Sequence, residues 1–201
     1  MSRREFFNRE AARWDGQYHR DHACQIKDLL ARFDIKEGKS VLDVGCGTGI
    51  LLPYLSEKVK EKGSVIALDF SWNMIFKAKK KSNRSEEEKP HLHFINASVE
   101  ALPLKDQTID YITCLDTFAH VAEQEKALYE MGRAIKRGGK LFLAHTLGRK
   151  ELAERHKSVG GGVEHDTLPE DDKIREMMRN AGFKNIDIID QPNLYLASGR
   201  K

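Results

Sequence analysis

Val41-Leu42-Asp43-Val44-Gly45-Cys46-Gly47-Thr48-Gly49 is the stretch from which the fold can be read. Ser40 to Val44 is a short apolar run of the kind found in buried strands, and it runs directly into three glycines at alternate positions. From Gly49 to Val59 the residues Ile50, Leu51, Leu52, Leu55 and Val59 fall at helical spacing, with Pro53 tolerated in the first turn. Strand, glycine turn and helix in that order put a ligand loop at the carboxyl end of a strand in a doubly wound sheet. Glycines there allow a tight turn and let a ligand approach where a Cβ would clash. The spacing is G-x-G-x-G. A dinucleotide fingerprint needs its third glycine at the position of Ile50, and no Gly-Lys-Ser/Thr follows to make a phosphate loop. Such a loop suits a nucleoside with a small or cationic tail.

The same alternation continues outward. Gly63 turns the chain into a second strand, Ser64 to Asp69, and Asp69 stands 20 residues after Gly49. A carboxylate at that distance can accept hydrogen bonds from both ribose hydroxyls; alternatively it serves only the N-terminus of the helix from Ser71 to about Lys81. Ser71 is a plausible N-cap of that helix. Strands are expected at His91–Asn96, Ile109–Leu115 and Lys140–His145, and a helix at Glu123–Lys136, ended by Gly138-Gly139. Residues 147–168 form a polar segment containing Gly160, Gly161 and Gly162, and a helix from Pro169 to Ala181 stops at Gly182. Two strands close the chain, Phe183–Ile189 and Leu194–Ser198, and the turn between them is too short for a parallel crossover. The first 39 residues read as helical, with Phe6, Phe7, Trp14 and Tyr18 on an aromatic side, then Ile26, Leu29, Leu30 and Phe33, and Gly38 as the stop. The expectation is an α/β fold: a seven-stranded, mostly parallel sheet with helices on both faces and a C-terminal antiparallel hairpin.

Composition bounds the rest. A chain of 201 residues is expected to be one domain, with 1–39 a helical cover, 40–146 the binding core, 147–168 a substrate or lid segment and 169–201 the closing helix and hairpin. An apolar content of 40% is enough for a core. The net charge of +3 does not call for a nucleic-acid partner, and the charge-dense stretch 77–89 reads as a solvated helix end and loop. Three cysteines, Cys24, Cys46 and Cys114, are too few and odd for a disulfide framework and fit a reducing cytoplasm. The N-terminus lacks the apolar region of a signal peptide, and no apolar run approaches the roughly 18 residues of a membrane helix.

The stretches VLDVGCGTG (41–49), VIALDFSWNMIFKAK (65–79), NASVEALPLKDQTIDYITC (96–114), FAHV (118–121) and RAIKRGGKLFLAH (133–145) resemble, in order, the motifs of a class I S-adenosylmethionine-dependent methyltransferase. The chain is similar to the small ubiquinone/menaquinone-type (type 11) enzymes of that family. The resemblance implies a Rossmann-like fold and S-adenosyl-L-methionine as cofactor. It implies that Gly45, Gly47 and Gly49, with Cys46 and Thr48 between them, contact the methionyl and ribose parts, and that Asp43 organises the methionine end. Asp69 would bind the ribose hydroxyls, Phe70 and Met74 would pack near the adenine, and Leu115 would line the methionine portion with its carbonyl. Ser98 stands where the family usually has an aspartate that accepts from the adenine amino group, with the Val99 backbone N–H beside it. A hydroxyl is a shorter, uncharged acceptor. Cys46 and Cys114 read as small packing residues rather than nucleophiles.

Methyl transfer from a sulfonium is an in-line displacement on an activated donor, so the protein mainly aligns the reactants. A base is needed only where the acceptor must lose a proton. The candidates are His120 and Asp116, just after the strand that ends at Leu115, and His145 at the end of the strand that follows. Trp14, Tyr18, His156, His165 and Asp166 are expected to face the acceptor. Each has a plainer alternative as packing, capping or surface residue. The histidines at 145, 156 and 165 match no metal-ligand spacing, so no metal is expected. The three consecutive glycines suggest a lid or a close approach to a ligand. The leading expectation is a cytoplasmic methyltransferase, monomer or homodimer, with a small-molecule acceptor. The alternatives are an RNA or protein methyltransferase and a non-catalytic S-adenosylmethionine-binding module. An NAD-dependent oxidoreductase conflicts with Ile50.

Overall fold

The computed structural model describes residues 1–17, 20–83 and 91–201, except for the side chains of 17 and 20–24. Tyr18 and the second half of the charge-dense stretch therefore lie outside the described residues. Two helices, α1 (Arg3–Glu10) and α2 (Arg20–Arg32), precede β1 (Ser40–Val44). Then come α3 (Leu52–Val59), β2 (Ser64–Asp69), α4 (Trp72–Ser82), β3 (Leu92–Asn96), β4 (Ile109–Leu115), α5 (Gln124–Ala134) and β5 (Ile135–His145). The chain ends with α6 (Arg149–Val159), α7 (Asp171–Asn180), β6 (Lys184–Gln191) and β7 (Leu194–Arg200).

The strands form one seven-stranded sheet in the order β3-β2-β1-β4-β5-β7-β6. The first five are parallel, and β7 lies antiparallel between β5 and β6. Side chains alternate across the sheet, as strand geometry requires. Leu42, Val44, Ile112, Cys114, Leu141 and Leu143 join one core under α5 and α7. Val41, Val65, Ala67, Tyr111 and Phe142 join the other, under α2, α3 and the inner side of α4. Both faces are thus covered, the condition under which parallel strands are stable. The chain order reverses between β1 and β4, so the ligand crevice of such a sheet opens at Gly45 and Leu115–Asp116.

Three expectations need correction. The second helix ends at Arg32 rather than Gly38, because Phe33 and Ile35 turn into the core, and Gly38 instead supplies a φ of +74° in the turn before β1. The helix before the Gly138-Gly139 pair ends at Ala134, and residues 135–139 already belong to β5. The polar segment 147–168 contains a full helix, α6, closed by Gly160 at φ +61°. Only Leu152 and His156 of α6 are buried, too few to leave a periodic apolar signal. Among the described residues no helix is long and apolar enough to cross a membrane.

Candidate active site

The glycine loop is built by backbone strain that only glycine takes without cost. Gly45, Gly47 and Gly49 have φ of +67°, +53° and +85°. The amides of Gly45 and Cys46 donate to the Leu68 carbonyl at 2.8 and 3.0 Å, which pins the loop to the end of β2. A Cβ on Gly45 would lie 2.2 Å from Thr117 Cγ2, so the loop and the turn after β4 are in contact. The Thr117 hydroxyl bridges them, bonding to the carbonyls of Leu115 at 2.8 Å and Gly45 at 3.2 Å. Gly45→Ala combines a positive φ with overpacking, and should cost about 2–4 kcal/mol. A thermal or urea melt checks this, and an unshifted midpoint would show that Thr117 simply moves aside.

Two carboxylates face this loop. Asp69 is buried, and its oxygens accept from Gly47 N–H at 2.9 Å and Ser71 N–H at 2.8 Å. Burial pushes its carboxyl up to about 6 despite those two bonds. Asp43 is also buried. One oxygen accepts from the Thr113 hydroxyl at 2.8 Å, and the other has no hydrogen-bond partner among the described residues. Burial pushes Asp43 up to about 7, against the Thr113 bond. An orphaned carboxylate oxygen on the wall of a cleft asks for a donor or a cation from a ligand. The cleft floor also includes buried Cys46 and Thr48, with Leu115 at the end of β4. Burial holds the thiols of Cys46 and Cys114 well above their usual range, as inert packing groups.

The N-terminal segment roofs the cleft. Phe7 and Trp14 line it, and Phe6, Phe7 and Ala11 pack with Met74 and Val163 in a small apolar cluster. Polar ties fix this roof. Asn8 Oδ1 accepts from the Ser71 hydroxyl at 2.7 Å, Thr48 donates to Asp15 at 2.5 Å, and Lys81 pairs with Asp15 at 2.7 Å. Met74 is 1% exposed and Phe70 sits 5.7 Å from Phe7, so both lie under the roof.

Ser98 and Val99 line a second cavity that continues the cleft past Gly45 and Phe70. The Ser98 hydroxyl donates to the Glu100 carboxylate while its oxygen accepts Glu100 N–H at 3.3 Å. Burial pushes the Glu100 carboxyl up, but Ser98 and the Glu123 N–H outweigh it and hold it below its usual range.

A third cavity opens under α1 and α6 and shares Phe7, Trp14, Asp116 and His120 with the cleft. His120 lines all three cavities. Its Nδ1 lies 2.7 Å from Asp166 Oδ2, and its ring meets Phe7 edge-on at 5.0 Å. Asp166 is 2% exposed and is held from the other side by the Arg3 guanidinium, whose Nε donates at 2.8 Å. Burial pushes the Asp166 carboxyl up, yet His120 and Arg3 hold it below the usual carboxylate range. His156 is buried, with Nδ1 2.5 Å from the Asp166 carbonyl, and desolvation lowers its pKa.

The sequence candidates thus separate. His120, Asp116, Trp14 and His156 meet around the third cavity, and exposed His165 lies on the Ser98 cavity. Asp116, at φ +48°, accepts from Thr146 N–H at 2.8 Å and from its hydroxyl. Asp166 does not line the third cavity; it lines the Ser98 cavity and stands behind His120. His145 is corrected: it is fully buried against Tyr195, lines none of these cavities, and burial pushes it down to about 3, which keeps it neutral. It is 3.7 Å from Asp116 and cannot reach a substrate from there. Arg3, Phe7 and Thr117 were not singled out for the site in the sequence. Arg3 lies 163 residues from its partner Asp166 and no local pattern links them.

Comparison with known proteins agrees with this geometry. A methyltransferase domain family matches residues 42–143. The chain is 32% identical over 190 residues to the demethylmenaquinone methyltransferase of Shouchella clausii, covering 83% of this chain and 80% of that one. It is 30% identical over 191 residues to the ubiquinone/menaquinone biosynthesis C-methyltransferase UbiE of Salmonella arizonae, covering 81% and 75%. The crystal structure of a SAM-dependent methyltransferase from Aquifex aeolicus shares the fold with a TM-score of 0.69 and 27% identity, over 86% of this chain and 87% of that one. The cofactor of that class carries a cationic ammonium and a ribose, which suit an orphaned carboxylate and a cradle free of Cβ atoms. The chain belongs to the class I S-adenosylmethionine-dependent methyltransferases, in the type 11 group, and is an enzyme that methylates a small molecule.

Proposed function

We propose that the acceptor is a hydroxylated aromatic of the quinol class, and that His120, held by Asp166, takes the proton of a ring hydroxyl as the acceptor attacks the methyl group and S-adenosylhomocysteine leaves. The observation that carries this reading is His120 itself. It stands on the wall shared by the cofactor cleft and a cavity of mixed lining, with Nδ1 2.7 Å from a buried carboxylate. Phe6, Phe7, Leu152 and Val163 give that cavity walls suited to a flat apolar ring. Relatives named as demethylmenaquinone methyltransferases support the same class.

S-adenosylmethionine, when bound, supplies a methyl group already activated on a sulfonium. The chain's own residues have three tasks. Gly45, Gly47 and Gly49 let the backbone close on the cofactor, Asp69 takes the ribose hydroxyls, and Asp43 faces the methionine end with Leu115. Phe70, Met74, Ser98 and Val99 take the adenine side. Ionised Asp166 can only accept, so it fixes the proton of His120 on Nδ1 and leaves the Nε2 lone pair for the acceptor. It then stabilises the imidazolium that forms, the role a buried aspartate plays toward a catalytic histidine elsewhere. Trp14 and Phe7 exclude water from the shared wall. The chain acts as one catalytic unit in the cytoplasm, and the reading needs neither nucleic acid nor a second chain.

A pH dependence follows. Asp69 and Asp43 sit above their ordinary values, at about 6 and about 7, in the free protein. The stability they contribute is present at low pH and is lost as pH rises through those values. A ligand that donates hydrogen bonds and brings an ammonium prefers the ionised forms, so binding releases protons and tightens from about pH 5 to about pH 8. Titration with S-adenosylhomocysteine across that range, in buffers of different ionisation enthalpy, checks the sign; affinity that falls with pH would remove both carboxylates from the binding role.

The acceptor class is tested by offering reduced naphthoquinol, a short RNA and a protein mixture to the enzyme with S-adenosylmethionine. Methyl incorporation into the quinol alone supports the reading. Incorporation into RNA or protein alone, or none with any acceptor, would overturn it.

A further inference from the structure

Two imidazoles share one anchor. The His120 and His156 rings lie 4.6 Å apart, tilted by 40°, and both line the cavity under α1 and α6. His120 uses Nδ1 on the Asp166 carboxylate, and His156 uses Nδ1 on the Asp166 backbone carbonyl. A backbone carbonyl only accepts, so the proton of His156 is on Nδ1, and its Nε2 carries a lone pair. The same holds for His120 against an ionised carboxylate. Neither Nε2 has a hydrogen-bond partner among the described residues. Two acceptors of matched tautomer, fixed by a single residue, thus belong to residues that line one cavity.

We propose that His120 and His156 together receive two neighbouring hydroxyl donors, so that a vicinal dihydroxy aromatic is preferred among the hydroxylated aromatics the site takes. This rests on the aromatic reading above and ranks its acceptors, since a quinol with hydroxyls on opposite sides of the ring presents one donor to the pair and a vicinal one presents two. A pair of imidazoles with Nδ1 so anchored also resembles a metal-ligand shell. Among the described residues, however, no group of three or more His, Cys, Asp or Glu could hold a metal ion. The apolar part of the wall, Phe6, Phe7, Leu152 and Val163, suits an aromatic ring carrying the two donors.

Binding tests this without turnover. The protein saturated with S-adenosylhomocysteine is titrated calorimetrically with catechol, phenol and hydroquinone, with no metal added. Catechol is expected to bind about tenfold more tightly than either competitor, the effect of one further hydrogen bond to a desolvated acceptor. His156→Phe should bring catechol to the level of phenol, and His156→Gln, which keeps an acceptor oxygen, should retain part of the preference. Affinity for S-adenosylhomocysteine in both variants verifies folding. Equal binding of the three probes, a preference that survives in His156→Phe, or one that appears only on adding zinc would each overturn the proposal. The first of these leaves methyl transfer to a quinol intact, so the two readings fail separately.

Discussion

His120→Ala is expected to lower kcat by about a hundredfold to ten-thousandfold, the usual contribution of a positioned base. The affinity for S-adenosylhomocysteine should change far less, because the proposed cofactor contacts, Asp69, Asp43 and the glycine loop, are left in place. The Asp166 carboxylate, buried and fixed by Arg3, can hold His120 in one tautomer. The imidazole is then oriented before substrate arrives. Asp166→Asn keeps the volume but can donate as well as accept, so it should lose part of the same rate through a mixed tautomer. A steady-state comparison at saturating donor separates the cases. A variant with wild-type kcat would leave His120 as a ring that packs edge-on against Phe7.

Asp69→Ala is expected to weaken S-adenosylhomocysteine binding by about a hundredfold or more. Each hydrogen bond from a ribose hydroxyl to a carboxylate contributes roughly 1.5–3 kcal/mol, and two are lost. The loop suffers as well, because Gly47 N–H and Ser71 N–H lose their acceptors. Asp69→Asn keeps one acceptor oxygen and should weaken binding less. The buried carboxyl already sits at about 6, so its removal relieves a desolvation cost and the fold should persist. Calorimetry with the demethylated product, beside a thermal melt, reads both effects. Unchanged affinity in a folded Asp69→Ala protein would assign Asp69 only to capping the turn before α4.

How much of this was legible in the sequence depends on the kind of information each element carries. β1, β2 and β4 coincide with their sequence bounds, because a buried strand writes itself as a continuous apolar run between breakers. The N-cap of α4 is likewise local, with Ser71 accepting from Met74 N–H. α6 escaped because two buried residues in eleven make no periodic stripe, and the helix is held largely by its ends. The glycine loop and Asp69 could be read at fixed spacing, since loop and carboxylate belong to one β-α-β unit. The partner of His120 could not. His120 and Asp166 are 46 residues apart, and Arg3 comes from the other end of the chain. The sequence offered Asp116 and His145 as the near neighbours of His120. The fold turns Asp116 onto Thr146 and seals His145 at the end of β5 against Tyr195 of β7, while α6 and the glycines after it bring Asp166 in instead. Pairings set by tertiary packing leave no trace in local spacing.

The central claim is that His120 accepts a proton during methyl transfer to a hydroxylated aromatic. It is tested most directly by transfer of a labelled methyl group from S-adenosylmethionine to reduced naphthoquinol, with wild-type protein and His120→Ala side by side. The predicted result is labelled product from the wild type in step with S-adenosylhomocysteine release, and a loss of at least about a hundredfold in the variant. Equal label transfer by the two proteins, or none by a wild type that binds the cofactor, would contradict it.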